Sequence, residues 1–145
     1  SLNQLGELSQ ILAQIAAQKL QDHVAFLGKL SDRDLETCYA EASLQIFPLV
    51  EVPGDVEGFG MVAIEAAACG TPTVAFDLGG VTDAISAGNG YLVPPGDFNL
   101  FAEKVLDILS ARGPDSAQCM HHARQFSWEH YNQKMRAVVA GQLEQ

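Results

Sequence analysis

Two glutamates, Glu57 and Glu65, stand eight residues apart in DVEGFGMVAIEAAACGTPTVAF (Asp55–Phe76), with a Gly-Phe-Gly bend between them and an alanine-rich run beyond. Gly58 and Gly60 let the backbone approach a ligand closely. The N–H groups near Gly60, Met61 and Val62 open a helix, and a helix N-terminus favours phosphate. Glu65 falls inside that helix, roughly one and a half turns further on, with Ile64, Ala66 and Ala67 as neighbours. A carboxylate buried among such residues is costly unless it finds donors, and vicinal hydroxyls supply two at once. One carboxylate can grip one polyol, the other a second, and the helix end between them can hold a phosphate link. Three plainer readings stand beside this one. Glu57 is also a first-turn acid of the kind the helix dipole favours, Glu65 a partner for a neighbouring loop, and the glycines turn residues.

The elements that must position these groups follow from the apolar pattern. Short apolar runs predict strands at His23–Gly28 (HVAFLG), Leu44–Phe47 (LQIF), Pro72–Phe76 (PTVAF) and Tyr91–Pro94 (YLVP). Helices are expected around them. The first is amphipathic, on Leu5, Leu8, Ile11, Leu12 and Ile15. Next come DRDLETCYAEA with Ser31 as its N-cap, GMVAIEAAACG stopped by Gly70, and a short helix in DLGGVTDAIS. LFAEKVLDILSA takes Asp97 or Asn99 as its cap, and DSAQCMHHARQF and SWEHYNQKMRAVVAGQL complete the chain. The order α-β-α-β-α-β-α-β-α-α-α predicts an α/β, Rossmann-like parallel sheet with helices on both faces. Residues 1–145 suit one domain. Because a doubly wound domain opens on a strand and this chain opens on a helix, the expectation is the latter part of a larger domain. Ligands of such sheets sit beyond the carboxyl ends of the strands. Glu57, Gly60, Glu65 and Gly79–Gly80 are therefore expected to line one cleft.

A net charge of −10 makes nucleic acid and anionic membranes poor partners. The charge is uneven: from Asp34 to Glu103 there are eleven acidic residues and no Lys or Arg. An anion held there needs backbone dipoles, or cations from elsewhere. No apolar run approaches a membrane span, and the N-terminus lacks a basic n-region and a cleavage site, so no signal peptide is read. Cys38, Cys69 and Cys119 are an odd set without CxxC spacing, expected as reduced thiols in a reducing, cytoplasmic compartment. CMHH (Cys119–His122) offers no second ligand pair and reads as a surface helix without metal. His23, His121, His122 and His130 read as ordinary surface or partly buried residues.

VEGFGMVAIEAAACGTPTVAFDLGG resembles the nucleotide-sugar signature of GT-B glycosyltransferases, specifically the retaining family 4. VAFLGKLSDRDLETCYAEASLQIFP, NGYLVPPGD and FSWEHY follow in the family's order, so the resemblance runs from about Leu20 to Tyr131. It implies the donor-binding C-terminal lobe of an enzyme that moves a hexose from a nucleoside diphosphate sugar to an acceptor hydroxyl. Glu65 would then hold the ribose hydroxyls, and Glu57, the residue assigned to catalysis, would face the transferred sugar. Backbone amides of Gly58, Phe59, Gly60, Met61 and Val62 would contact sugar and diphosphate, and Gly28, Lys29 and Leu30 would lie against the base. No cofactor and no metal are implied. The implied partners are the nucleotide-sugar donor and, through an acceptor lobe with no counterpart here, a glycan or lipid, with peripheral membrane contact in the parent. This sequence departs from the family in lacking the phosphate-binding Arg and Lys segment, and in a link from Pro48 to Glu57 lengthened by VEVPGD. That loop resembles mannosyltransferases acting on lipid or inositol acceptors. A GT-B epimerase or phosphorylase, and a non-catalytic α/β interaction domain, remain open alternatives.

Overall fold

The structure, a computed structural model, describes residues 2–50, 60–127 and 129. The chain divides into two compact units, Ser1–Ser31 and Asp32–Gln145.

The first unit carries α1 (Leu2–Ala17). Lys19 ends it in the left-handed region at φ 56°, with Lys19 N–H donating to Ala16 and Leu20 N–H to Ile15. This is the doubly bonded C-terminal stop usually built on glycine. Leu8, Ile11 and Leu12 on α1 stay 40–47% exposed. The segment His23–Gly28, read above as a strand, is not one. It has the composition of a strand but no ladder partner among the described residues, and its Phe26 and Leu27 are exposed. Apolar sequence supplies the faces of a strand; the strand itself exists only through its neighbour's hydrogen bonds.

The second unit holds α2 (Asp32–Glu41), β1 (Gln45–Phe47), α3 (Met61–Ala68), β2 (Thr73–Phe76), α4 (Val81–Ala84), β3 (Gly90–Val93), α5 (Phe98–Leu109) and α6 (Ser116–Arg124). Among the described residues the sheet has three parallel strands in the order β1-β2-β3, with Ile46, Val74 and Tyr91 in register. Alternation sends successive β2 side chains to opposite faces. Ala75, with Phe47 and Leu92, meets α3, α4 and α6 through Ala63, Ile64, Ala67, Val81, Ala84, Cys119 and Ala123. Val74 and Phe76 meet α5 through Phe101, Val105 and Ile108. Every β2 residue is buried, as a central strand covered on both faces requires. Neighbouring β1 is not so covered, and Ile46, on the α5 side, is 57% exposed.

The caps explain where the helices stop and start. Cys69 caps α3, and Gly70 follows at φ 88°. Gly70 N–H donates to Ala67 and Thr71 N–H to Ala66, which satisfies two carbonyls at the helix end. Asp97 caps α5 by accepting from Leu100 N–H, the first of the two candidates read from sequence. Asp115 and Gln118 form a reciprocal capping box on α6. The predicted last helix, SWEHYNQKMRAVVAGQL, lies outside the described residues apart from Ser127 and Glu129.

Candidate functional site

The glycine bend survives in the structure as a left-handed residue. Gly60 has φ 67° and ψ 40° and stands at the N-cap of α3, where it brings no side chain to bond the helix start. Ala63 N–H donates to Gly60 O, so the first helical bond is made there. The N–H groups of Met61 and Val62 point out of the helix end, with no acceptor inside it. A Cβ on Gly60 would lie 3.2 Å from Val81 Cγ2 and 3.5 Å from Ala84 Cβ. The start of α4, just past the carboxyl end of β2 and the Gly79–Gly80 turn, therefore backs the bend directly. Thr82 Oγ1 donates to Asp77 Oδ1 at 2.6 Å and fastens that turn. Glu57, Gly58 and Phe59 lie outside the described residues. Gly28, Lys29 and Leu30 belong to the first unit, with Gly28 left-handed at φ 65°.

Glu65 is placed otherwise than the sequence suggested. α3 buries Ala63, Ile64, Ala66 and Ala67, while Met61, Glu65 and Ala68 form its exposed stripe. The alanines thus face the core and the carboxylate faces away from them. A helix apolar nearly all round gives no periodic signal from which to read that face. Glu65 instead lines a hollow of about 360 Å³ between α2 and α3, with Asp32, Leu35, Glu36, Tyr39, Ala68 and Cys69.

Tyr39, which lines this hollow, belongs to a set of polar bonds that sequence reading missed. Thr71 Oγ1 donates to the Tyr39 carbonyl. Thr73 Oγ1 donates to Gln45 Oε1 at 2.8 Å, and Gln45 Nε2 reaches the Tyr39 hydroxyl at a long 3.5 Å. These link residues up to 32 apart in sequence, so no local pattern announces them. Burial pushes the Tyr39 phenol above its ordinary value, and the Glu65 carboxylate and Cys69 add to the push against the Gln45 bond. Burial likewise raises the Cys69 thiol, with Glu36 and Glu65 adding. Near neutral pH both are therefore protonated. The hollow offers three carboxylates and no cation among its lining residues. These carboxylates can accept from hydroxyls and repel phosphate, whereas the N–H groups at the start of α3 favour it.

The CMHH stretch corrects one expectation. Cys119 is fully buried and His122 is 8% exposed, so α6 turns both into the core. His122 Nε2 lies 3.1 Å from Ala84 O and Nδ1 lies 3.2 Å from Ser86 Oγ. A carbonyl only accepts, so the neutral ring carries its proton on Nε2 and accepts the Ser86 hydroxyl at Nδ1. Among the described residues, no three His, Cys, Asp or Glu side chains are grouped to hold a metal ion. No described helix is long and apolar enough to cross a membrane.

Residues 5–126 match the family described as "Glycosyl transferases group 1". The D-inositol 3-phosphate glycosyltransferase of Mycolicibacterium smegmatis is 40% identical over 114 residues, which cover 77% of this chain and 25% of that protein. The chain thus spans about a quarter of the length of that relative. Among solved structures, the sucrose-phosphate synthase of Thermosynechococcus elongatus superposes with a TM-score of 0.72 at 30% identity, over 96% of this chain and 35% of its own. Anabaena HepE in complex with UDP-glucose superposes at 0.68 with 26% identity, over 92% of this chain and 36% of its own.

Proposed function

Since the chain belongs to the group 1 glycosyl transferases, of GT-B type, we propose that it forms the donor-binding part of a retaining, family 4 enzyme. That enzyme moves a hexose from a nucleoside diphosphate sugar to an acceptor hydroxyl. The observation that carries the reading is the division of labour along α3. Its left-handed start at Gly60 presents backbone N–H groups, and its exposed carboxylate, Glu65, looks into a hollow whose carboxylates can accept from hydroxyls.

In this reading the diphosphate lies against the amides of Gly58–Val62, and Glu65 takes the ribose hydroxyls. Glu57 takes the hexose. Bond cleavage leaves charge on the departing diphosphate. Backbone donors fixed in place before the reaction stabilise that charge without reorganising. The helix start supplies this stabilisation, so the reading asks for no metal and no cofactor. A solved relative that holds UDP-glucose supports a uridine donor. The relatives named for D-inositol 3-phosphate support a cyclitol phosphate acceptor. The acceptor would be held by residues beyond the quarter of the relatives' length matched here, with the enzyme in the cytoplasm.

The test is calorimetry on the full-length protein with UDP-glucose, UDP-N-acetylglucosamine and GDP-mannose, each beside its bare nucleoside diphosphate. Glu65→Ala should weaken both forms of the preferred ligand by about tenfold or more, the loss of roughly 1.5–3 kcal/mol of charge-assisted bonding. Glu57→Ala should weaken only the form carrying the sugar. If none of the three sugars binds the unmutated protein, the proposal fails. If Glu57→Ala weakens the bare diphosphate equally, Glu57 is a helix-start acid and the two-ended grip is wrong.

A further inference from the structure

Resting on the donor-site reading above, we propose that His122 is a positioning residue for the Gly60 bend: through the Ala84 carbonyl it holds α4 as the wall against which the left-handed turn into α3 is pressed. That wall is close. Val81 Cα lies 3.3 Å, and Ala84 Cβ 3.5 Å, from where a Cβ on Gly60 would stand. Yet α4 is a single turn of four residues, and its C-cap Ile85 is already extended. A turn this short does not support itself, so its position depends on what grips its ends.

The grip is visible at Ala84. Its carbonyl accepts from Asn89 Nδ2 at 3.0 Å and from His122 Nε2 at 3.1 Å, using both lone pairs. Asn89 belongs to the loop leading into β3, so its bond ties α4 only to its own continuation. His122 comes 38 residues later, from α6. The same helix buries Cys119 and Ala123 against Ala63, Ile64 and Ala67 of α3. His122 therefore fastens the wall to the helix that packs behind the one the bend begins. The ring itself is held from two sides. Ser86 Oγ, which also accepts Gly88 N–H at 3.2 Å, donates to Nδ1, and Phe126 lies 5.2 Å away, ring to ring.

The two nitrogens can be tested separately. His122→Gln keeps an N–H donor near Nε2 and loses the Nδ1 acceptor. His122→Asn keeps an acceptor near Nδ1 and loses the donor to Ala84. Ser86→Ala removes only the Nδ1 partner. Hydrogen exchange at the Ala63 amide, which donates to Gly60 O, reports the bend without any ligand, with the β2 amides as internal reference. His122→Asn should speed exchange at Ala63 about tenfold relative to β2, the scale of one net hydrogen bond. His122→Gln and Ser86→Ala should each stay within about threefold. Unchanged exchange in His122→Asn overturns the proposal, as does a His122→Gln protein no better than His122→Asn. Should His122→Asn fail to fold, folding and normal exchange in His122→Gln support it and failure in both overturns it.

UDP-glucose affinity of the full-length variants separates this idea from the one beneath it. A tenfold loss in His122→Asn, restored in His122→Gln, supports positioning of the donor site. Equal affinity in both variants and the unmutated protein overturns positioning and leaves the donor reading standing. Altered exchange with no nucleotide-sugar binding to the unmutated protein removes the donor reading and leaves His122 as the holder of the bend.

Discussion

Gly60 is the residue on which most converges, because it combines a positive φ with a contact that would crowd a side chain. Gly60→Ala should cost about 1–2 kcal/mol for the left-handed backbone, with a further penalty from the fully buried Val81, which must give by a few tenths of an ångström. Urea denaturation measures the total, and adding Val81→Ala should restore part of it. Simple additivity of the two changes would show that the contact is not felt. Cys119 gives a second residue-scale expectation. Burial, helped by the Asp115 charge, pushes its thiol up to about 11. A pKa raised on folding gives stability that is present below the ordinary thiol value and is lost as pH rises through the folded value. Stability should therefore fall between about pH 9 and 11. Cys119→Ala should flatten part of that slope, and an unaltered slope would remove the thiol as its cause. The sequence places Gly60 in a bend that opens a helix, and the structure puts it at the N-cap of α3, in a left-handed conformation that the sequence did not announce. Sequence reading misjudged Glu65 and His122, because whether a helical side chain faces core or solvent is decided by the layer laid against it.

At the scale of elements, the stops and starts were the most legible features. Gly70 ends α3 and Asp97 opens α5 because glycine and aspartate satisfy helix ends by local chemistry alone. β2 was legible for the opposite reason, since an apolar run of that length suits burial on both faces. His23–Gly28 carries a similar pattern and is not laddered, because pairing is a property of two segments and the sequence displays one at a time. The capping box on α6 is the element-scale test. Asp115→Ala should lower stability by about 1 kcal/mol, with the loss of helicity confined to the first turn of α6 by amide exchange. An effect that spread evenly through the second unit would mean that the cap holds the packing of α6 and not merely its start.

For the whole molecule the dominant fact is eighteen acidic residues against eight basic ones. The described ion pairs gather on one partly buried carboxylate: Lys104 and Arg112 meet Asp107 at 3.1 and 2.9 Å near the end of α5, and Lys104 also meets the exposed Glu103. Salt screens both signs of interaction, but the surplus here is repulsive. The melting temperature should rise between about 10 and 500 mM sodium chloride, as the screening length shrinks from roughly 30 Å to a few ångströms. A fall would show that the Asp107 cluster outweighs the surplus. The two faces of the sheet also differ in when the ribosome can complete them. Among the described residues, the apolar cluster on the α5 face reaches no further than Ile108, whereas that on the opposite face waits for Cys119 and Ala123. At roughly 5–20 residues per second the interval is about one to three seconds. Throughout it Ala63, Ile64, Ala67 and Ala75 have lost their unfolded freedom on one side and still lack cover on the other. The nascent chain therefore offers chaperones an apolar ledge, and α6, by arriving, withdraws it.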